Sequence, residues 1–365
     1  MDHGGSSVPN KLPPREILIV RRVEQFLAER LPSGWSLRAE HDVRVGRARL
    51  NLLADITSPS GENAALAVEV KRRMEPRNVG WAAQQVSAMA SHGASAAVPV
   101  VASSYLSLRS RELLESLDVG YMDITGNARI EVSEPGLFIS TSGADRDPWP
   151  QDDELQSLRG RGAARAVRAI IDSAPPFGVR DLATATGTSA ATLSRVLELL
   201  EREDIIARER RGPVRGVDWQ AAIRRWAEDY DQTASNTATT YLEPRGMPAL
   251  EKALAGTGLR YAATGAFAAQ RFDPIAPAGS AAVYVEDAYG AADRLGLREA
   301  DVGANVVLLE PYDPVVFDRT VTRDGRRCVA PSQLAVDLLT GPGREPPQGE
   351  ELLRWMQDNE NAWRA

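Results

Sequence analysis

The chain has 365 residues, too many for one ordinary core, so two or three domains are expected. At 43% hydrophobic and 25% charged its composition is that of a globular protein, and a net charge of −7 excludes a surface that is basic throughout while leaving room for a local basic patch. Three scattered histidines (His3, His41, His92) and the single Cys328 exclude a structural zinc site and an internal disulfide, and no apolar run is long enough to span a bilayer, which together fit a cytoplasmic protein with no membrane partner.

Residues 1–14 are polar and rich in Gly, Ser and Pro, and read as a flexible start. Residues 16–31 have helical periodicity, with Val20, Val23 and Leu27 among the inward positions. Three strands are expected next, at 36–44, 48–57 and 64–72. In the third, Leu66, Val68 and Val70 alternate with Ala67, Glu69 and Lys71, so Glu69 and Lys71 project from one face. The second strand carries Asp55 among Leu50, Leu52, Leu53 and Ile56, and two neighbouring strands can set Asp55 beside Glu69. Two carboxylates hold a hard Mg²⁺ ion, which polarises a phosphodiester and activates a bound water. A lysine beside them offsets charge that develops on the phosphate. A helix over 81–89 brings Gln84 and Gln85 within one turn of this site. Segments 96–102 and 121–132 complete the sheet. Within them Asp123, followed by Gly126 and Asn127, reads first as a hairpin turn, with lining of the cleft as the alternative.

The series Asp55, Glu69, Val70, Lys71, in the order helix–strand–strand–strand, resembles the PD-(D/E)XK nuclease motif over about residues 16–140. Ala54 stands where the motif has proline. The resemblance implies a restriction-endonuclease-like α/β core over 15–145. Its catalytic residues would be Asp55, Glu69, Lys71 and Gln85, with Asp55 and Glu69 as ligands to Mg²⁺. A charged strand edge, and a nuclease fold that binds without cleaving, are the other readings.

Residues 143–153, with Pro148 and Pro150, read as a linker to a second block at 155–218. Residues 163–172 place Val167, Ile170 and Ile171 at helical spacing, and Pro175, Pro176 and Gly178 break the chain. A short helix over 179–186 turns inward Leu182 and Ala183. After the turn at Gly187–Thr188, Ser189 is a good N-cap for a third helix that buries Leu193, Val196, Leu197 and Leu200. Its other face offers Thr192, Ser194, Arg195 and Arg202. Segments 205–211 and 214–217 flank Gly212 and Pro213 as a two-stranded wing bearing Arg208, Arg210, Arg211 and Arg215. Residues 179–208 resemble winged helix-turn-helix regulators of the MarR and IclR type. Such a module implies double-stranded DNA as partner, since a helix fits the major groove. Ser189, Thr192, Ser194 and Arg195 would then meet base edges and phosphates, and the four wing arginines would meet phosphates. Regulators of this kind read two half-sites as a homodimer, and the last block is the expected interface. A winged helix used only for protein contacts is the alternative.

A polar stretch at 233–240 leads into a third block at 240–365, a C-terminal α/β module. Strands are expected at 261–264, 281–285 and 305–310, a helix start at 265–271, a helix at 331–339 ended by Gly341, Pro342 and Gly343, and a final helix over 350–363. The turn Thr264-Gly265-Ala266 echoes that of nucleotidyltransferases, but Val283-Tyr284-Val285 supplies no alternating acidic pair, which argues against transferase chemistry. Tyr261-Ala262-Ala263-Thr264-Gly265, Val283-Tyr284-Val285, Leu308-Leu309-Glu310-Pro311 and Asp337-Leu338-Leu339 resemble the C-terminal part of the AbiEi antitoxin family. Members of that family are winged-helix repressors of type IV toxin–antitoxin operons, so the resemblance implies a cognate toxin. The nuclease-like first block is a departure from that family. The expectation is therefore an α/β multidomain transcriptional regulator of antitoxin type. The alternative is a Mg²⁺-dependent deoxyribonuclease, targeted by the winged helix and acting in defence against foreign DNA.

Overall fold

The computed structural model describes residues 12–46, 48–92, 97–150, 155, 157–209, 212–272 and 278–364. The fold is mixed α/β, and among the described residues no helix is long and apolar enough to cross a membrane. The chain divides into two compact units, residues 1–154 with 202–204, and residues 155–201 with 205–365.

The first unit is one seven-stranded sheet with helices on both faces. Its elements in order are α1 (Glu16–Arg30), β1 (Ser36–Val45), β2 (Ala48–Thr57), β3 (Asn63–Lys71), α2 (Pro76–Ala90), β4 (Val98–Ser103), α3 (Leu108–Ser116), β5 (Gly120–Asp123), β6 (Ala128–Val132) and β7 (Leu137–Thr141). The strands lie side by side in chain order. The pairs β1–β2 and β2–β3 are antiparallel, β3–β4 and β4–β5 parallel, and β5–β6 and β6–β7 antiparallel. The parallel pairs require crossovers, which α2 and α3 supply. Leu66, Val68 and Val70 of β3 pack with Leu52, Ala54 and Ile56 of β2 against Ile19, Val20, Val23 and Leu27 of α1. Ala67 faces the other way, towards Val79, Ala82, Ala83 and Val86 of α2 and Leu114 of α3.

The segment expected at 121–132 is two strands, β5 and β6, joined by the turn that Asp123, Gly126 and Asn127 led one to expect. The buried Asp123 organises that turn. Its Oδ1 accepts the backbone N–H groups of Thr125, Gly126 and Asn127 and the Thr125 hydroxyl, and its Oδ2 accepts Leu106 N–H and the Asn127 amide. Both oxygens are thus occupied by the chain's own donors, as the hairpin reading requires.

The second unit begins with α4 (Arg161–Asp172), α5 (Val179–Thr186), α6 (Ala190–Arg202), the hairpin β8 (Ile206–Arg208) and β9 (Val214–Val217), and α7 (Trp219–Ala227). There follow β10 (Thr237–Leu242), α8 (Met247–Gly256), β11 (Tyr261–Thr264), α9 (Gly265–Ala269), β12 (Ala281–Val285), α10 (Ala288–Leu295), β13 (Arg298–Glu299), β14 (Val306–Glu310), β15 (Val321–Arg323), β16 (Arg326–Cys328), α11 (Pro331–Leu339), α12 (Glu345–Asp358) and α13 (Glu360–Trp363). Seven of these strands form a mixed sheet in the order β13-β10-β14-β12-β11-β16-β15. The blocks expected at 155–218 and 240–365 do not have separate cores. One apolar cluster runs from Val167, Ile170 and Leu197 through Trp226 and Tyr230 to Tyr284, Leu334 and Met356. α7 is the reason: its Trp219 meets Trp363 edge to face, with ring centres 5.0 Å apart. Polar ties cross the same boundary, from Arg165 to Asp313 (2.9 Å) and from Arg168 to Gln333 (3.0 Å).

Candidate functional site

In the first unit the strands carry Glu69 and Lys71 on one face, as their alternation predicts. Lys71 Nζ donates to Glu69 Oε1 at 2.6 Å, and the Glu69 side chain is only 5% exposed. Glu69 Oε2 and Gln85 Oε1 are both buried without a hydrogen-bond partner. Lys71 Nζ also lies 5.2 Å from the ring centre of Trp81, one helical turn before Gln85 on α2. Gln84 points outward and is exposed.

Asp55 is not part of this group. The β2–β3 register pairs Asp55 with Ala65, four residues short of Glu69, or roughly 13 Å along the strand. The same register, which pairs Leu52 with Val68, brings Asn51 to the place opposite Glu69, where Asn51 Oδ1 accepts the Val70 N–H at 2.7 Å. In β1, paired with this part of β2, Asp42 takes a left-handed conformation (φ 52°). Beyond it the hairpin changes face. Leu52 belongs to the α1 core, but Leu50, with Val43 and Val45, packs on the α2 side. The ladder to β3 therefore ends at Leu52, and the Asn51 amide supplies the acceptor that a strand backbone would have given.

The magnesium ion that the nuclease resemblance implies would be held by Asp55 and Glu69 together, with water or substrate oxygens completing its shell. The site has Glu69 alone, already bonded to Lys71, and among the described residues no group of three or more His, Cys, Asp or Glu side chains is placed to hold a metal. As arranged, Asp55 and Glu69 do not hold one ion together.

In the second unit α5 ends on Gly187 in the left-handed conformation (φ 65°), which turns the chain sharply into α6. The Leu193 N–H bonds the Ser189 carbonyl at 2.9 Å and closes the first turn. Leu193, Val196, Leu197, Leu199 and Leu200 are buried, the expected stripe with Leu199 added. Ser189, Ala190, Ala191, Arg195 and Glu198 are exposed, and Ser194 is half-buried beside them. Thr192 is different: its Cγ2 lies 3.3 Å from where a Cβ on Gly162 would stand, so it faces α4. Phe177 and Val214 exchange backbone hydrogen bonds, which adds a third short strand to the β8–β9 hairpin. Of the wing arginines, Arg208 pairs with Glu201 at 2.6 Å and is 12% exposed, so it is committed within the unit. Arg215 lies 3.4 Å from Glu209 and is exposed. Arg210 and Arg211 lie outside the described residues.

Three of the four C-terminal segments singled out in the sequence meet at one residue, Asp337 of α11, which is fully buried. Its Oδ1 accepts from Tyr230 (2.8 Å), Tyr284 (3.1 Å) and Gln333 (2.8 Å), and its Oδ2 from Thr264 (2.5 Å) and Tyr284 (3.1 Å). Burial pushes its carboxyl up to about 6, against the pull of those hydrogen bonds. Burial, with the Asp337 charge behind it, also holds the Tyr230 and Tyr284 hydroxyls well above the usual phenol range. Sequence reasoning missed this cluster as a unit. The available signal was an aspartate on the apolar stripe of a helix, a position that demands partners.

Comparison with models of protein families, with curated proteins and with solved structures finds no match to this chain.

Proposed function

We propose that the chain is a DNA-binding transcriptional regulator of antitoxin type, which reads duplex DNA with α6. The observation that carries this is the outward face of α6. It opens with Ser189, Ala190 and Ala191, which permit close approach, and continues with Ser194 and Arg195, which can donate to phosphates and base edges. The helix follows a tight left-handed turn and precedes a basic hairpin, the arrangement of a winged helix-turn-helix. The antitoxin assignment draws support from Thr264, Tyr284 and Asp337. These belong to three separate segments of the AbiEi resemblance and share one hydrogen-bonded cluster. A homodimer and a cognate toxin as partners belong to the same proposal.

The first unit, with α1 on one face, α2 crossing from β3 to β4 and Glu69 beside Lys71, supports a restriction-endonuclease-like core. The position of Asp55 favours binding over cleavage there. A Mg²⁺-dependent deoxyribonuclease is the second reading, and the unpartnered oxygens of Glu69 and Gln85 favour it.

The test is a mobility-shift titration with duplex DNA from upstream of the chain's own coding sequence. Arg195→Ala should weaken binding and alter preference among sequences, and Arg215→Ala should lower the salt slope by about 1. Unchanged affinity in both variants would sink the proposal. Supercoiled plasmid incubated with Mg²⁺ or EDTA should stay intact in both, and cleavage that stops with EDTA would install the second reading.

A further inference from the structure

β7 is a terminal strand of the first sheet, and among the described residues no strand pairs with its outer edge. An edge presents a row of unpaired N–H and C=O groups, which proteins normally guard with charges, prolines or bulges. β1, at the far edge, is guarded in that way. It carries Arg38, Glu40, His41, Asp42 and Arg44, and Asp42 interrupts the strand with a left-handed residue. β7 has none of these devices. It reads Leu137-Phe138-Ile139-Ser140-Thr141, with no charge, no proline and no positive φ. Leu137 and Ile139 are buried in the core shared with α1, but Phe138, on the other face, is 59% exposed. It is an apolar ring left in water at the rim of the sheet. On the neighbouring strand Glu131 stands opposite Phe138 and Arg129 opposite Ser140, and the Arg129 guanidinium lies 5.4 Å from the centre of the Phe138 ring.

We propose that β7 is the seam of a homodimer, where it pairs antiparallel with β7 of a second copy and joins the two sheets into one. The strand is complementary to itself. Side chains directly opposite each other in a strand pair share a face, so the pairing must be centred on a residue, and only the register centred on Ile139 pairs all five residues. In that register Ile139 meets its own copy, Leu137 meets the partner's Thr141, and Phe138 meets the partner's Ser140. A large ring thus lies beside a small side chain, over which the partner's Arg129 can extend towards it. Each row across the seam runs Glu131, Phe138, the partner's Ser140, the partner's Arg129, with an acid at one end and a base at the other, and the two-fold axis repeats the row in reverse. A foreign strand has to match that order of size and charge, whereas a second copy supplies it by symmetry. The seam deepens the homodimer of the regulator reading, on which it rests for its purpose, and moves it from the last block to the first unit.

The experiment is sedimentation of the full chain without DNA, from about 1 to 100 µM, with hydrogen exchange on the same samples. Five residues a side make a small interface, so a dimer that dissociates in the micromolar range is expected. Exchange at residues 137–141 should slow as concentration rises. Phe138→Lys and Ser140→Lys, both at exposed positions, should each weaken the dimer about tenfold by placing a charge on the seam, and Phe138→Tyr should keep it. Tyr289→Ala, at an exposed aromatic of the last block, should leave it unchanged. Arg195→Ala should stay dimeric while its duplex binding falls. A dimer of this kind in a chain that ignores duplex DNA keeps this proposal and removes the regulator reading. A chain that stays monomeric throughout, a dimer indifferent to both lysine substitutions, a dimer lost in Tyr289→Ala, or exchange at 137–141 that ignores concentration overturns it. Phe138 and Ser140 are exposed, so the lysine substitutions do not threaten the fold, and circular dichroism checks that point.

Discussion

Glu69 and Lys71 were legible in the sequence because alternation along a strand is a local property, and two residues apart means the same face. Asp55 was not, because the register between strands is a matter of pairing. The β2–β3 pairing sets Asp55 opposite Ala65, and no spacing between acidic residues reports it. The consequence can be tested on the neighbour that stands where a second carboxylate was expected. Asn51→Asp keeps the acceptor for the Val70 N–H and adds a carboxylate opposite Glu69. Calorimetric titration with Mn²⁺ should show no binding that depends on Asp55 in the wild type, and a new site in Asn51→Asp. If Asp55→Ala removes a site that the wild type already has, the register argument is wrong. Arg208 makes a related point. Its position in the wing suggested a phosphate contact, but the carboxylate it meets, Glu201, is seven residues earlier on α6. Pairing across a helix–strand turn is invisible to a count of basic residues.

Elements with a long apolar stripe were read closely: α6 spans Ala190–Arg202 with the expected inward leucines, and β2 falls on the expected residues, Ala48–Thr57. Those missed were short or lacked contrast. α3 runs only Leu108–Ser116, with Ser110 and Leu114 alone buried, and β7 (Leu137–Thr141), five residues long, follows β6 after a tight turn. α7 was hidden for another reason, since Trp219, Ile223 and Trp226 have helical spacing but fall in what composition marked as a join between blocks. At this scale α11, β11 and β12 are fastened through Asp337, and the arrangement makes a pH prediction. The folded carboxyl stands near 6 and its ordinary value is 3.8. Between those values the folded chain holds a proton that the unfolded chain has released. Its contribution to stability is therefore greatest below pH 4 and declines as pH rises to about 6, by at most about 3 kcal/mol. Denaturant midpoints measured from pH 4 to 6.5 should fall across that window in the wild type and fall less in Asp337→Asn. Equal slopes would mean that Asp337 ionises normally. The variant should also be less stable at every pH, because an amide N–H₂ cannot accept from the Tyr, Gln and Thr donors that now converge there.

For the whole molecule, composition was enough to forecast more than one domain, but it placed one boundary too many. The polar stretch near 233–240 reads as a linker in sequence, yet Asn236 is buried, bonding the Gln232 carbonyl and the Tyr230 hydroxyl, and α7 and Tyr230 carry the core across it. A fragment of residues 155–365 should unfold cooperatively, whereas 155–232 should lack a sharp transition, because its inner surface is completed by Tyr284, Leu334, Trp363 and their neighbours. Melting curves followed by circular dichroism distinguish the two, and a sharply melting short fragment would show that the helices suffice alone.

The polar ties that join α4 to the C-terminal elements bear on descent as well. Arg168 bonds Asp172, Gln333 and the Asp318 carbonyl, Ser332 bonds Asp172, and Arg364 reaches the Ile171 carbonyl. A gene fusion that exchanged only α4, α5 and α6 would strand a buried guanidinium and a buried carboxylate without their mates. Shuffling of intact pieces is therefore confined to joints near residue 155. In lineages descended from this chain, α4–α6 and the sheet that shares their core should be inherited together, and the first unit should be the piece that comes and goes.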